Sequence, residues 1–269
     1  MHTRLRARRV TVAAIATLAL LPLAACGADD PEGSDGAGTS AGADLDGSIT
    51  VLAAASLTGT FTELAEQFEA ENDGVEIDLV FDSSGTLADN AAQGAPGDLL
   101  ATADLGSMER SEPVQASDPE VFATNTLVLV TPAENPAGIT TLADLDDDAV
   151  TYVVCVETAP CGTLAAEVLD DADIDNEPSS LERDVKATLA RVVEDEADAG
   201  LVYRTDALAA ADDVTLVELD DDVADDAVTE YPIVTLDQSE NPDLAQAFLD
   251  YVLSSTGQDV LTTAGFGTP

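Results

Sequence analysis

Ser56, Ser84, Cys161 and Val185 each stand where a short apolar run gives way to a stretch with helical spacing. Ile49–Ala55 stops at Ser56, and Val75–Asp82 stops at Ser83-Ser84-Gly85-Thr86. Thr151–Val156 leads through Thr158-Ala159-Pro160-Cys161-Gly162, and Asp184-Val185 opens a further helical stretch to Val193. The start of a helix exposes unpaired N–H groups and carries a partial positive charge of about half a unit, so four such junctions offer anion capture without lysine or arginine. In open α/β sheets ligands bind beyond the carboxyl ends of strands, where these junctions would lie. Each residue also has a plainer reading. Ser56 and Ser84 are common helix caps, Gly85 and Gly162 suit turns, and Tyr203, at the end of Gly200–Tyr203, suits a half-buried sheet aromatic.

The elements that would position these junctions alternate β-rich runs with amphipathic helices, which predicts an α/β fold with mostly parallel strands. The spacing predicts strands at Ile49–Ala54, Val75–Phe81, Asp98–Ala103, Thr126–Val130, Thr151–Val156, Gly200–Tyr203, Val214–Glu218 and Tyr231–Leu236. Apolar stripes at i, i+3, i+4 and i+7 mark helices through Phe61, Leu64, Ala65 and Phe68, through Val185, Leu189, Val192 and Val193, and through Leu244, Phe248, Tyr251 and Val252. These stripes are core. Residues 27–47 are mostly Gly, Ala, Asp, Ser and Thr, too polar to bury a core, and read as a flexible tether ahead of a domain beginning near Ser48.

Arg4, Arg6, Arg8 and Arg9, the apolar stretch Val10–Leu21 and Leu23-Ala24-Ala25-Cys26 read together as an export signal over residues 1–26. The apolar run is too short to span a bilayer. A cysteine after Leu-Ala-Ala resembles a bacterial lipobox, in which Cys26 becomes the lipidated first residue and holds the protein at the outer face of the cytoplasmic membrane. Removing the leader leaves five of nine basic residues (Arg110, Arg183, Lys186, Arg191, Arg204) against all 54 acidic ones, so the net charge moves from −45 to about −49. Such a surface repels nucleic acid and anionic lipid and suits concentrated salt, where self-repulsion is screened. The only histidine, His2, lies in the leader, which excludes imidazole chemistry from the exported chain. Cys155 and Cys161, with five residues between them, are either a disulfide formed outside the cytoplasm or two buried thiols.

Several ordered segments carry a family resemblance. Ile49-Thr50-Val51-Leu52-Ala53-Ala54-Ala55-Ser56-Leu57-Thr58, Ser83-Ser84-Gly85-Thr86-Leu87-Ala88 and Gly94-Ala95-Pro96-Gly97-Asp98-Leu99-Leu100 resemble the bacterial molybdate-binding proteins of molybdenum import. Ala159-Pro160-Cys161-Gly162, Asp184-Val185-Lys186, Gly200-Leu201-Val202-Tyr203, Tyr231-Pro232-Ile233 and Gly265-Phe266 continue the match in order, so the resemblance covers about Ser48 to Gly267. It implies a type II periplasmic-binding-protein fold of two lobes, each a mostly parallel sheet flanked by helices, with the ligand in the cleft between them. One lobe would hold 48–125 and 229–269, the other 126–228. It also implies an oxyanion held by hydroxyl and backbone N–H of Ser56 and Ser84, backbone N–H of Cys161 and Val185, and the phenol of Tyr203. The expected partners are molybdate or the similarly sized tungstate and the membrane permease of an ABC transporter, with the protein acting as a monomer. No cofactor is implied, because the anion is cargo.

Cys161 stands where better-known members have alanine, a change the backbone donor tolerates, and Asp82 brings a carboxylate near the cleft. Arg204 has no role in the family pattern and reads as a solvated surface cation. Donors alone favour a fully deprotonated tetrahedral dianion over hydrogen phosphate, whose own O–H would lack an acceptor. Other readings are a binding protein for sulfate or another tetrahedral oxyanion, a hydrolase using Ser84 with Lys186, and a calcium-binding surface lipoprotein using Asp171, Asp173, Asp175 and Glu182.

Overall fold

The computed structural model describes residues 45–224 and 226–269; the leader, the lipidation candidate Cys26 and residues 27–44 of the expected tether lie outside them. The strands are β1 (Gly47–Ala54), β2 (Val75–Asp82), β3 (Leu99–Ala101), β4 (Glu120–Pro132), β5 (Tyr152–Cys155), β6 (Ser180–Glu182), β7 (Ala199–Tyr203), β8 (Val214–Val217) and β9 (Val228–Thr235). The helices are α1 (Thr58–Glu71), α2 (Ser84–Ala92), α3 (Leu105–Glu109), α4 (Pro160–Asp171), α5 (Val185–Val193), α6 (Arg204–Ala209), α7 (Asp221–Ala224), α8 (Pro242–Leu253) and α9 (Ser255–Thr263).

The strands join in one sheet, ordered β2-β1-β3-β9-β4-β7-β5-β6, with β8 on β4. The sheet divides within β4. Its Glu120–Thr126 stretch pairs with β9, whereas Leu127–Val130 pairs with β7 and Leu129–Pro132 with β8. In the first half β1, β2, β3 and β4 run one way and β9 runs against them; in the second β5, β6, β7 and β8 run one way against β4. Each half is thus mostly parallel, and the reversed strand in each is one that joins the halves. The two connections lie side by side, because Leu127 N–H donates to Ala227 O at 2.8 Å.

β1 is buried from Ile49 onward except at Thr50, which fits a central strand with helices on both faces. Phe61, Leu64, Ala65 and Phe68 bury the inner face of α1, and Leu244, Phe248 and Val252 that of α8. Two stripe positions end elsewhere: Val193 is 37% exposed at the end of α5, and the Tyr251 hydroxyl reaches Gln67 Oε1 at 3.2 Å on the rim. β4 starts six residues before the predicted Thr126, because a register shift between Val121 and Ala123 breaks the period-2 alternation of its first stretch, which is fixed by pairing with β9. β6 has no counterpart in the sequence reading; three residues are too few for an alternation to register.

Candidate oxyanion site

Strand register brings the junctions together. Ala54 of β1 is level with Asp82 of β2, so the turn at Ser56 and the start of α2 at Ser84 emerge side by side. Cys155 of β5 is level with Glu182 of β6, which does the same for the Cys161 and Val185 loops. One pocket of about 10 Å³ is lined by Ser56, Ser84, Cys161, Val185 and Tyr203, with Asp184 and several small side chains. All five expected residues therefore meet at one place. A volume near 10 Å³ is about what a single water needs, so admitting a larger anion requires the walls to part.

Neither serine caps its own helix. The Ser84 hydroxyl accepts the Ala103 N–H at 2.9 Å from beyond β3, and the N-terminus of α2 has no side-chain cap. With a lone pair so engaged, the Ser84 proton is left to donate. Ser56, in the 3-10 turn Ala55–Leu57, lies 2.9 Å from the Tyr231 hydroxyl. In α4, Pro160 takes the first position, where its missing N–H is no loss, and Cys161 follows at the second, where helix geometry supplies no internal acceptor for its N–H. Val185 is first in α5; its cap Asp184 accepts from Ala187 N–H at 2.8 Å and meets Arg183 Nε at 3.0 Å, so this pocket-lining carboxylate is already served by donors.

Two glycines permit the close approach. A Cβ on Gly162 would collide with the Val156 carbonyl, so glycine lets the first turn of α4 lie against the end of β5. A Cβ on Gly85 would meet the Thr158 carbonyl, where α2 approaches the loop before α4. The Cys155–Cys161 disulfide closes that same loop, with Cα atoms 5.7 Å apart.

Tyr203 is buried at the end of β7, and its hydroxyl has no hydrogen-bond partner among the described residues. Burial, reinforced by the neighbouring Tyr231 phenol, pushes its pKa well above the ordinary tyrosine value, so it stays a neutral donor. A buried hydroxyl without a partner costs roughly 1–3 kcal/mol, which this fold retains at the wall of the pocket.

Among the described residues, no cation is left over to hold an anion by charge. Arg110 pairs with Asp89, Arg183 with Asp184, Lys186 with Asp206, Arg191 with Glu182 and Glu196, and Arg204 with Glu218. Arg204 is thus in an ion pair rather than merely solvated. Asp82 turns to its own chain and accepts from Ser83 N–H at 2.8 Å. The hydrolase reading loses its base, because Lys186 Nζ sits 2.6 Å from Asp206. The calcium reading loses its last ligand, since Glu182 lies on a strand and binds Arg191 Nε at 3.0 Å. Tyr231 and Asn125, and the Asp206 partner of Lys186, were not singled out for the site from sequence. Only the Tyr231-Pro232-Ile233 segment hinted at one of them.

A family model described as bacterial extracellular solute-binding protein matches residues 49–267. The chain belongs to this family. Its members bind solutes and are not enzymes. The molybdate-binding protein ModA of Mycobacterium tuberculosis is 38% identical over 95% of this chain and 96% of its own length. A solved substrate-binding domain of a putative molybdenum ABC transporter from Clostridium difficile is 28% identical with a TM-score of 0.63, covering 82% of this chain and 99% of that one. The periplasmic molybdate-binding protein of Azotobacter vinelandii has a TM-score of 0.73 at 18% identity over 82% of this chain and 99% of its own, a likeness of fold. The fold is the two-lobed one of periplasmic binding proteins.

Proposed function

We propose that this protein captures molybdate outside the cytoplasm and delivers it to the permease of an ABC transporter. The observation that carries the reading is the Tyr203 hydroxyl, buried and without a partner among the described residues, at a pocket whose other polar walls are two serines and two helix starts. Ser56, Ser84 and Tyr203 donate hydroxyls, and Cys161 and Val185 donate backbone N–H groups. Such a set suits a dianion with no proton of its own, so tungstate binds alongside molybdate while hydrogen phosphate is rejected for its unmatched O–H. Sulfate shares the charge and is rejected on size.

In this reading 48–125 with 229–269 form one lobe and 126–228 the other, hinged where β4 and the segment before β9 join them. The lobes part to admit the anion and close on it, since only the closed form places all five donors around one centre. The protein acts as a monomer, tethered by lipid at Cys26, with an acidic surface suited to high salt.

Calorimetric titration of the purified protein with molybdate, tungstate, sulfate and phosphate tests the reading. Binding of the first two with silence of the others is expected. Sulfate binding in their place would reassign the cargo, and silence toward all four in a folded sample would remove the oxyanion reading. Ser84→Ala deletes one donor to a charged ligand, a bond worth roughly 1.5–3 kcal/mol, so the molybdate Kd should rise at least about tenfold.

A further inference from the structure

The geometry points to Tyr231, held by Asn125, as a positioning residue that fixes the Ser56 hydroxyl as a donor toward the anion; this rests on the molybdate reading above. The direction of the chain of bonds is fixed at its Asn125 end. Thr126 N–H donates to Asn125 Oδ1 at 3.0 Å, and because a backbone N–H can only donate, the amide cannot be flipped. Asn125 Nδ2 therefore faces Thr205 Oγ1 at 2.8 Å and the Tyr231 hydroxyl at 3.4 Å, and it can only donate to them. Tyr231 accepts from Asn125, and its single proton is free for Ser56 Oγ at 2.9 Å; the geometry allows either hydroxyl to donate there, and the relay assigns Tyr231 as the donor. The Ser56 proton is then directed away from Tyr231, into the pocket that Ser56 lines.

The ring of Tyr231 is clamped for this task. It packs edge-on against Phe122, Tyr203 and Phe266, with centroids 6.2, 6.0 and 5.3 Å away, and is fully buried. Asn125 sits on β4 where the strand leaves β9 for the other half of the sheet, and Thr205 belongs to that other half, on α6. The relay thus gives Ser56 what Ala103 N–H gives Ser84: a donor from behind that occupies a lone pair. Without it the Ser56 hydroxyl could rotate and accept a proton from a ligand. The relay is therefore a determinant of selectivity for fully deprotonated anions as well as of affinity.

The test is a double-mutant cycle on the full protein, read by calorimetric titration with molybdate and with phosphate. Tyr231→Phe should weaken molybdate about fivefold to tenfold in the wild-type background and by less than about twofold when Ser56 is already alanine. It should also narrow the molybdate-to-phosphate ratio, which a general loosening of the site would leave unchanged. Equal losses in both backgrounds, or an unchanged molybdate Kd in Tyr231→Phe, overturn the relay. Asn125→Asp approaches from the other end, replacing the donating amide with an acceptor that draws the Tyr231 proton away from Ser56. Its molybdate Kd should rise at least about tenfold, with most of that rise gone in the Ser56→Ala background; an equal rise there also overturns the relay. A wild type silent toward molybdate overturns the site reading and the relay with it, whereas a wild type that binds with variants behaving additively overturns the relay alone.

Discussion

Lys186→Met is expected to destabilise the fold by about 3 kcal/mol near neutral pH, because it strands the buried carboxylate of Asp206. Removing one member of a buried ion pair costs roughly 3–5 kcal/mol. The lower end applies here, since the Lys186 side chain is 38% exposed and water can enter beside it. Burial raises the Asp206 pKa above the usual carboxylate value, and the Lys186 ammonium opposes that rise. A carboxyl whose folded pKa lies above its unfolded one weakens the fold at pH above the folded value, and the penalty fades as pH falls through it. Deleting Lys186 removes the opposing charge, so the variant's deficit should be largest at neutral pH and shrink on acidification as Asp206 takes up a proton. Urea unfolding of both proteins across pH measures this directly. A deficit under about 1 kcal/mol at neutral pH, or one that grows in acid, would contradict it.

Tyr203→Phe should move stability and binding in opposite directions. The hydroxyl is buried and unpartnered among the described residues, so deleting it should raise stability by about 1–2 kcal/mol. In the proposed complex the same hydroxyl meets an anion, a bond worth roughly 1.5–3 kcal/mol, so the molybdate Kd should rise about tenfold to a hundredfold. Thermal melts without and with molybdate separate the two effects, because saturating ligand adds stability in proportion to the logarithm of its concentration over Kd. A variant that melts no higher than wild type in the absence of anion would mean that the phenol already has a partner. The expected trade is the mark of a group kept for function at the expense of the resting fold.

The strands of the central sheet and the faces of α1, α5 and α8 were legible in the sequence because burial on one or both sides leaves a periodic or continuous apolar signal. The four junctions were legible for a related reason, since each is a change of period marked by Ser, Gly or Asp. What escaped was set by distance in the chain. Ser56 meets Tyr231 across 175 positions, and Asn125 meets Thr205 across 80, and neither pairing leaves a local trace. Tyr231 reads as one more apolar residue of β9, and Asp206 reads as one acidic residue among 54. The plainer alternative, that the serines are helix caps, fails for the same reason: their partners, Ala103 N–H and Tyr231, arrive from just beyond β3 and from β9 by sheet topology and not by sequence proximity.

All five cations of the described chain are bound to carboxylates, and the surface around them is overwhelmingly acidic. A dianion approaching this molecule is repelled until it is within reach of the hydroxyls and amides of the pocket. Added salt shortens the range of that repulsion, so on the proposed reading the rate of capture should climb with ionic strength, the reverse of the usual behaviour of electrostatically guided binding. On the proposed reading, the residence time of the bound anion, set by short hydrogen bonds inside the closed cleft, should change far less. Brine would thus act on such a receptor as an accelerator of encounter.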